Sequence, residues 1–166
     1  MIDKDKLKNF EKLPADIRRQ FSLLANQYGE KKKTAGIQNN FMDFVKHVWP
    51  DFIEGNHHKT IADKFDRLAQ GKIKRLIINM PPRHTKSEFG SYLLPAWMVG
   101  RNPKLKIIQS TNTTELSVRF GRKAKSLMDS PEYKQVFKTR LNPDSQAAGK
   151  WETEQGGEYY AAGVGS

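Results

Sequence analysis

The chain contains no cysteine among its 166 residues, which excludes a disulfide framework and any thiolate metal centre. No apolar run approaches the roughly 18 residues of a membrane-crossing helix, so no membrane partner is expected. The amino terminus alternates lysine, aspartate and apolar residues, unlike a secretory leader. Acidic residues are few, 18 against 29 Lys and Arg, giving a formal net charge of +11 and a pI near 9.8. The imbalance is uneven: residues 141–166 hold one Lys and four acidic residues, so the first 140 residues carry +14. A field of that sign attracts polyanions. The plainer alternative is a set of solvated, lysine-rich helix faces. The length is enough for one domain with its own core, and there is no internal repeat.

What is present centres on RLIINMPPRHTKSE, residues 75–88. Arg75 to Met80 reads as a buried strand, Pro81 to Thr85 as a tight loop, and Lys86-Ser87 opens an apolar-periodic helix. Strand, loop, Lys-Ser and helix together form the layout of a phosphate-binding loop. A helix amino terminus offers unpaired N–H groups and a positive dipole end to an anion. The lysine reaches β and γ phosphates, and the adjacent hydroxyl holds Mg²⁺. The glycines of the usual G-x-x-x-x-G-K-[ST] pattern are missing: Met80 stands at the first position and Thr85 at the second. Thr85 has less conformational freedom than glycine. A proline-rich strand-to-helix turn with a solvated lysine is the alternative reading.

Around this motif the chain divides into a helical leader with linker, residues 1–36, and a main part, residues 37–166. In the leader, Ile17, Phe21, Leu24 and Tyr28 recur at helical spacing. Leu7, Phe10 and Leu13 suggest a shorter helix before Pro14. GEKKKTAG, residues 29–36, reads as a linker. Helices are expected over residues 41–49, ended by Pro50, and over 56–69, stopped by Gly71. The helix after the loop buries Phe89, Leu93 and Trp97, and Pro95 should kink it or end it early. Residues 105–110 read as a second strand. Asn112 is the expected N-cap of a helix that buries Leu116, Phe120, Ala124 and Leu127. Ser130-Pro131 starts a short helix. Residues 151–155 and 158–162, joined through Gly156-Gly157, read as a β-hairpin. Alternating strands and helices argue a right-handed βαβ unit. The expected fold is therefore α/β, of P-loop NTPase type, with a mainly parallel sheet flanked by helices.

The sequence MPPRHTKSE followed by LLPAWMVGRNPKLKIIQST resembles the large terminase subunit of tailed bacteriophages, from about Phe41 onward. That family carries a deviant phosphate loop with an internal arginine, matched here by Arg83. The resemblance implies an ATPase that drives double-stranded DNA into a capsid. It further implies a ring oligomer, portal and small terminase subunit as partners, and the host cell cytoplasm as location. Pro81, Pro82, Arg83, His84, Thr85, Lys86 and Ser87 would then bind ATP, with Ser87 on Mg²⁺. Lys86 and Arg83 would be the catalytic residues, Arg83 stabilising charge on the γ phosphate. A residue that holds the adenine carries over to His58 or His57; capping or surface histidines are the alternative there. Arg119 and Arg122, three apart on one helix, are candidates for DNA phosphate contact or for a trans-acting arginine, against an ordinary basic face.

One expected element is missing from the sequence. A P-loop ATPase needs an apolar strand ending in an acidic pair, to hold Mg²⁺ and orient water, and residues 1–166 supply none. The resemblance puts that strand shortly after YYAAGVGS, and a nuclease domain later still. The chain thus reads as the amino-terminal piece of a large terminase, with an unpaired sheet edge where the next strand belongs. Two readings remain beside it: a different, helicase-like P-loop ATPase, or a non-enzymatic basic DNA-binding or assembly protein with a vestigial loop.

Overall fold

The computed structural model describes residues 13–164, in two compact units divided between Ala35 and Gly36. Helix α1 spans Ala15–Asn39 and runs unbroken through residues 29–36. The expected linker is therefore helical. Lysine, glutamate and alanine are good helix formers, and they outweigh two glycines at about 1 kcal/mol each. In α1 only Ile37 is buried. The apolar residues Phe21, Leu24 and Tyr28 are exposed. The shorter helix expected around Leu7 and Phe10 lies outside the described residues.

Three helices form the layer that carries the loop. Helix α2, Phe41–Val48, is capped by Asn40, whose side chain accepts from the Asp43 N–H. Asp66 reinforces that end by accepting from the Phe41 N–H at 2.7 Å, and burial pushes its carboxyl above the usual range. Helix α3 spans Asn56–Ala69, the expected range, and Gly71 follows it at φ 72°. The third helix, α4, is built from Lys86–Glu88, a π-helical turn at Phe89–Leu93, and Leu94–Arg101. Pro95 was expected to kink or end this helix. Instead the wide turn before it bonds the Leu94 N–H to the Phe89 carbonyl and carries the helix past the proline.

An aromatic cluster binds the layer together. The Phe41 ring lies 5.0 Å from Phe65, 5.4 Å from Phe89 and 5.4 Å from Trp97, all edge-to-face. All four rings are buried, and pairs in this arrangement add about 0.5–1.5 kcal/mol each beyond area burial. The Trp97 indole N–H donates to the Ile37 carbonyl at 3.2 Å. Tyr133, in helix α6 (Pro131–Val136), donates its hydroxyl to the Ala96 carbonyl at 2.9 Å. Ser130 caps α6 and Pro131 stands in its first turn, as the sequence suggests.

The sheet is four-stranded and mixed. Strands β1 (Lys106–Thr111), β2 (Leu141–Ala147), β3 (Lys150–Thr153) and β4 (Glu158–Gly163) lie in the order β1-β4-β3-β2. Only β1 and β4 are parallel, so the mainly parallel sheet expected from the sequence is corrected to a mixed one. The hairpin β3–β4 was legible, and Gly156 takes the left-handed turn position at φ 88°. Strand β2 was not. Its Leu-Asn-Pro-Asp start reads as a turn, and it pairs with β3 through an irregular register.

Helix α5, Thr114–Asp129, covers one face of the sheet. Its cap is Thr113, one residue later than expected, accepting from the Leu116 N–H. Trp151 and Tyr159 face each other across β3 and β4 with rings stacked 4.7 Å apart, and the Trp151 indole donates to the Gly121 carbonyl. On the opposite face Ile108 and Tyr160 are cross-strand partners and both are exposed. Beside them Glu158 sits between Lys106 at 3.5 Å and Lys150 at 3.7 Å.

Residues 75–80 depart most from expectation. They run without regular secondary structure and pair with no strand among the described residues. Leu76, Ile78 and Met80 pack against the core, while Ile77 is 87% exposed. The segment keeps the two-residue alternation of a strand with one face covered. A fully buried strand would need a neighbour on its other face.

Candidate functional site

Extended residues 75–80 lead into the loop 81–85, and the loop into α4. Two of its residues adopt left-handed backbone: Arg83 at φ 64° and Thr85 at φ 58°. His84 between them does not. Left-handed residues beside right-handed ones can turn successive N–H groups toward one point, as in anion-binding nests. Each non-glycine residue held this way costs about 1–2 kcal/mol. The surrounding structure must therefore hold the conformation.

The helix start adds further donors. The first intrahelical bond runs from the Phe89 N–H to the Thr85 carbonyl at 3.0 Å, so the N–H groups of residues 85–88 precede the ladder. Thr85 is the N-cap residue, but its side chain does not cap the helix. Lys86, Ser87 and Arg83 are exposed. Among the described residues neither Lys86 nor Arg83 forms an ion pair. Pro81 and Pro82 are exposed at the loop entrance. His84 folds back on the loop, its Nδ1 2.8 Å from the Pro82 carbonyl, where it donates.

These donors suit a phosphate chain. Exposed cations and the N–H groups that precede the helix ladder offer charge and direction to such a chain. Ser87 offers one oxygen to a divalent cation. Among the described residues there is no group of three or more His, Asp or Glu side chains able to hold a metal ion. The remaining ligands of a Mg²⁺ would have to be phosphate oxygens and water, as is usual for this ion.

The helix layer supports the loop through His58, the candidate adenine contact or cap. His58 is buried. Its Nδ1 accepts from the Gly55 N–H at 2.9 Å, which caps α3 from the third helical position. Its Nε2 lies 2.7 Å from the Thr85 hydroxyl. Phe52 and Phe89 hold the ring, with centroids at 4.8 and 5.2 Å. Burial and, next, the neighbouring His57 hold the His58 imidazole below its usual pKa; Glu54 opposes this and His84 reinforces it. Both ring nitrogens are thus engaged within the protein. The exposed His57 instead lines a groove of about 430 Å³ with Thr60, Lys64 and residues 76–80, alongside the approach to the loop.

Arg119 and Arg122 are not part of this arrangement. Both are exposed on α5 and line a separate open groove with Thr113, Glu115, Leu116 and Val118. Lys123 adds a polar link from α5 to the loop helix, lying 3.9 Å from Glu88 and 5.1 Å above the Tyr92 ring. The His58–Thr85 contact was missed from sequence, although a signal was present: a threonine where the motif wants glycine requires a compensating partner. No helix among the described residues is long and apolar enough to cross a membrane. Compared with known proteins, the chain matches no family profile, no curated protein and no solved structure.

Proposed function

We propose that this chain is the nucleotide-binding part of a terminase-like motor ATPase, in which ATP binding and hydrolysis drive double-stranded DNA. The observation that carries the reading is the loop of residues 81–87. Left-handed backbone at Arg83 and Thr85 converges on the start of a long helix whose first exposed side chains are Lys86 and Ser87. Phosphoryl transfer asks a protein mainly for positioning and charge neutralisation, and these residues supply both. Lys86 neutralises β and γ phosphate charge, the N–H groups of residues 83–87 orient the oxygens, and Ser87 contributes a hydroxyl to Mg²⁺. Arg83 sits in the same loop, free of any carboxylate partner among the described residues, and would meet charge developing on the γ phosphate. Bound Mg²⁺ supplies the Lewis acid of the reaction.

No acidic residue stands at the carboxyl end of the parallel strands, where β1 closes on Gln109-Ser110-Thr111 and β4 on Ala161-Ala162-Gly163. Ligands of α/β sheets bind at those ends. Those strand ends supply no water-orienting carboxylate, so binding rather than turnover is the proper test. ATP titration by calorimetry, with Mg²⁺, should give a saturable isotherm for the parent chain. Lys86→Ala should weaken it by about 2–4 kcal/mol, the scale of a lost charged contact. Lys8→Ala should leave it unchanged. If Lys86→Ala binds ATP as the parent does, the loop is not a phosphate site.

A further inference from the structure

We infer that His58 is the positioning residue of the phosphate loop. It holds Thr85 by hydrogen bonding in the left-handed conformation that a glycine would take freely. The consequence for nucleotide rests on the function proposed above, whereas the lock itself does not.

The proton inventory fixes the arrangement. The Thr85 hydroxyl donates to the His84 carbonyl at 2.7 Å, so its single proton is committed. Its contact with His58 Nε2 at 2.7 Å therefore needs a proton on Nε2. His58 Nδ1 must in turn be bare, because it accepts the Gly55 N–H. All three bonds agree on one neutral tautomer, and a chain runs from the Gly55 N–H through the imidazole and the Thr85 hydroxyl to the His84 carbonyl. One end of this chain is anchored in the start of α3. The other reaches the backbone of the residue that separates the two left-handed positions.

Rigidity comes from the setting of the ring. His58 is 6% exposed and packs against both Phe52 and Phe89, which also touch each other with ring centroids 5.5 Å apart. Phe89 belongs to the same helix that the loop opens, and it also packs on Phe41 at the centre of the aromatic cluster. The loop is thus tied to the core twice, once through Phe89 and once through His58. A threonine at φ 58° has a Cβ that disfavours this backbone, and here its hydroxyl supplies the compensation that glycine does not need. The groups facing the imidazole are His57, His84 and Glu54, with His57 closest at 3.8 Å between ring centroids.

The test is a double-mutant cycle on the full chain, pairing His58→Phe with Thr85→Gly. Phenylalanine keeps a ring against Phe52 and Phe89 and deletes both hydrogen bonds. Two measurements are made without nucleotide: the His58 tautomer by ¹⁵N NMR, and amide exchange of residues 83–87. A third is ATP affinity. The parent should show the Nε2–H tautomer. His58→Phe should speed exchange in residues 83–87 and weaken ATP by about tenfold, the scale of one buried hydrogen bond. In the Thr85→Gly background the same change should cost about twofold or less, because no hydroxyl is left to hold. An Nδ1–H tautomer, or equal losses in both backgrounds, would overturn the lock and leave His58 as a capping residue only. Should no variant and not even the parent bind ATP, the nucleotide function fails while tautomer and exchange still decide the lock.

Discussion

Arg83 combines three properties seldom found together in a surface arginine. Its backbone is left-handed, its side chain is exposed, and among the described residues no carboxylate pairs with it. A bulky residue kept at φ 64° costs stability. The resemblance noted in the sequence offers a reason, since an arginine inside the loop is placed to sense the γ phosphate. Arg83→Ala should then weaken ATP more than ADP, by about 1–3 kcal/mol for a charge-assisted hydrogen bond. Arg83→Lys should recover part of the difference, because an ammonium replaces a planar fork. Parallel calorimetric titrations with the two nucleotides check this. Equal losses for ATP and ADP would make Arg83 a structural loop residue, and the search for a γ-phosphate sensor would move to Arg119, Arg122 or another subunit. The neighbouring Thr85 illustrates what a sequence motif conceals. Pattern alone marks Thr85 as a defect relative to glycine, yet its hydroxyl is the atom that His58 grips.

Most elements with clear local stop and start signals were legible, residues 29–36 and the helix through Pro95 excepted, whereas partners distant in sequence were harder to read. Helix α3 has its apolar stripe and a stop glycine within residues 56–71, and it forms over the expected range. Ser130-Pro131 and the Gly156 turn are equally local and equally well placed. Residues 75–80 spell an apolar strand, but a strand becomes a strand by pairing, and no sequence window says which segment lies beside it. The glycine of α5 is a similar case. Gly121 sits mid-helix, where glycine is unfavourable by about 1 kcal/mol. Its reason appears only in the packing of α5 on the sheet: a Cβ there would stand 2.5 Å from the Ala148 carbonyl oxygen and 2.8 Å from the Tyr159 ring. The carbonyl is backbone and cannot swing aside, and the Trp151–Tyr159 stack lies directly behind it. Gly121→Ala should therefore lose about 1–3 kcal/mol despite its better helix propensity. Urea denaturation should show a lowered midpoint at an unchanged slope. A rise in stability would mean that α5 stands farther from the hairpin than these distances indicate.

Across the whole molecule the dominant feature is charge. The first 140 residues carry +14 and the last 26 carry −3. In the described part the acidic tail lies largely in the sheet: Glu158 faces Lys106 and Lys150 across the strands. The basic excess is shared between helices and loops, with Arg119 and Arg122 exposed along α5. A uniform basic surface binds duplex DNA through phosphates, releases counterions, and reads no sequence. That is also what a translocating motor requires, since it must grip every stretch of a genome alike. Binding of random duplex DNA should therefore fall steeply with salt. If about five phosphates are neutralised, the slope of log K against log salt is about −4.5, a loss of roughly 500-fold between 50 and 200 mM. Replacing Arg119 and Arg122 together by alanine should make the slope shallower by about 2 if both touch phosphate, and should weaken all sequences alike. Fluorescence anisotropy over a salt series, with two unrelated duplexes, measures slope and selectivity together. A slope near zero, or one duplex strongly preferred over the other, would remove DNA translocation from the reading and leave a nucleotide-binding domain with a different partner. An unchanged slope in the double variant would keep DNA as the partner but move its footprint off α5, to the other basic helix faces.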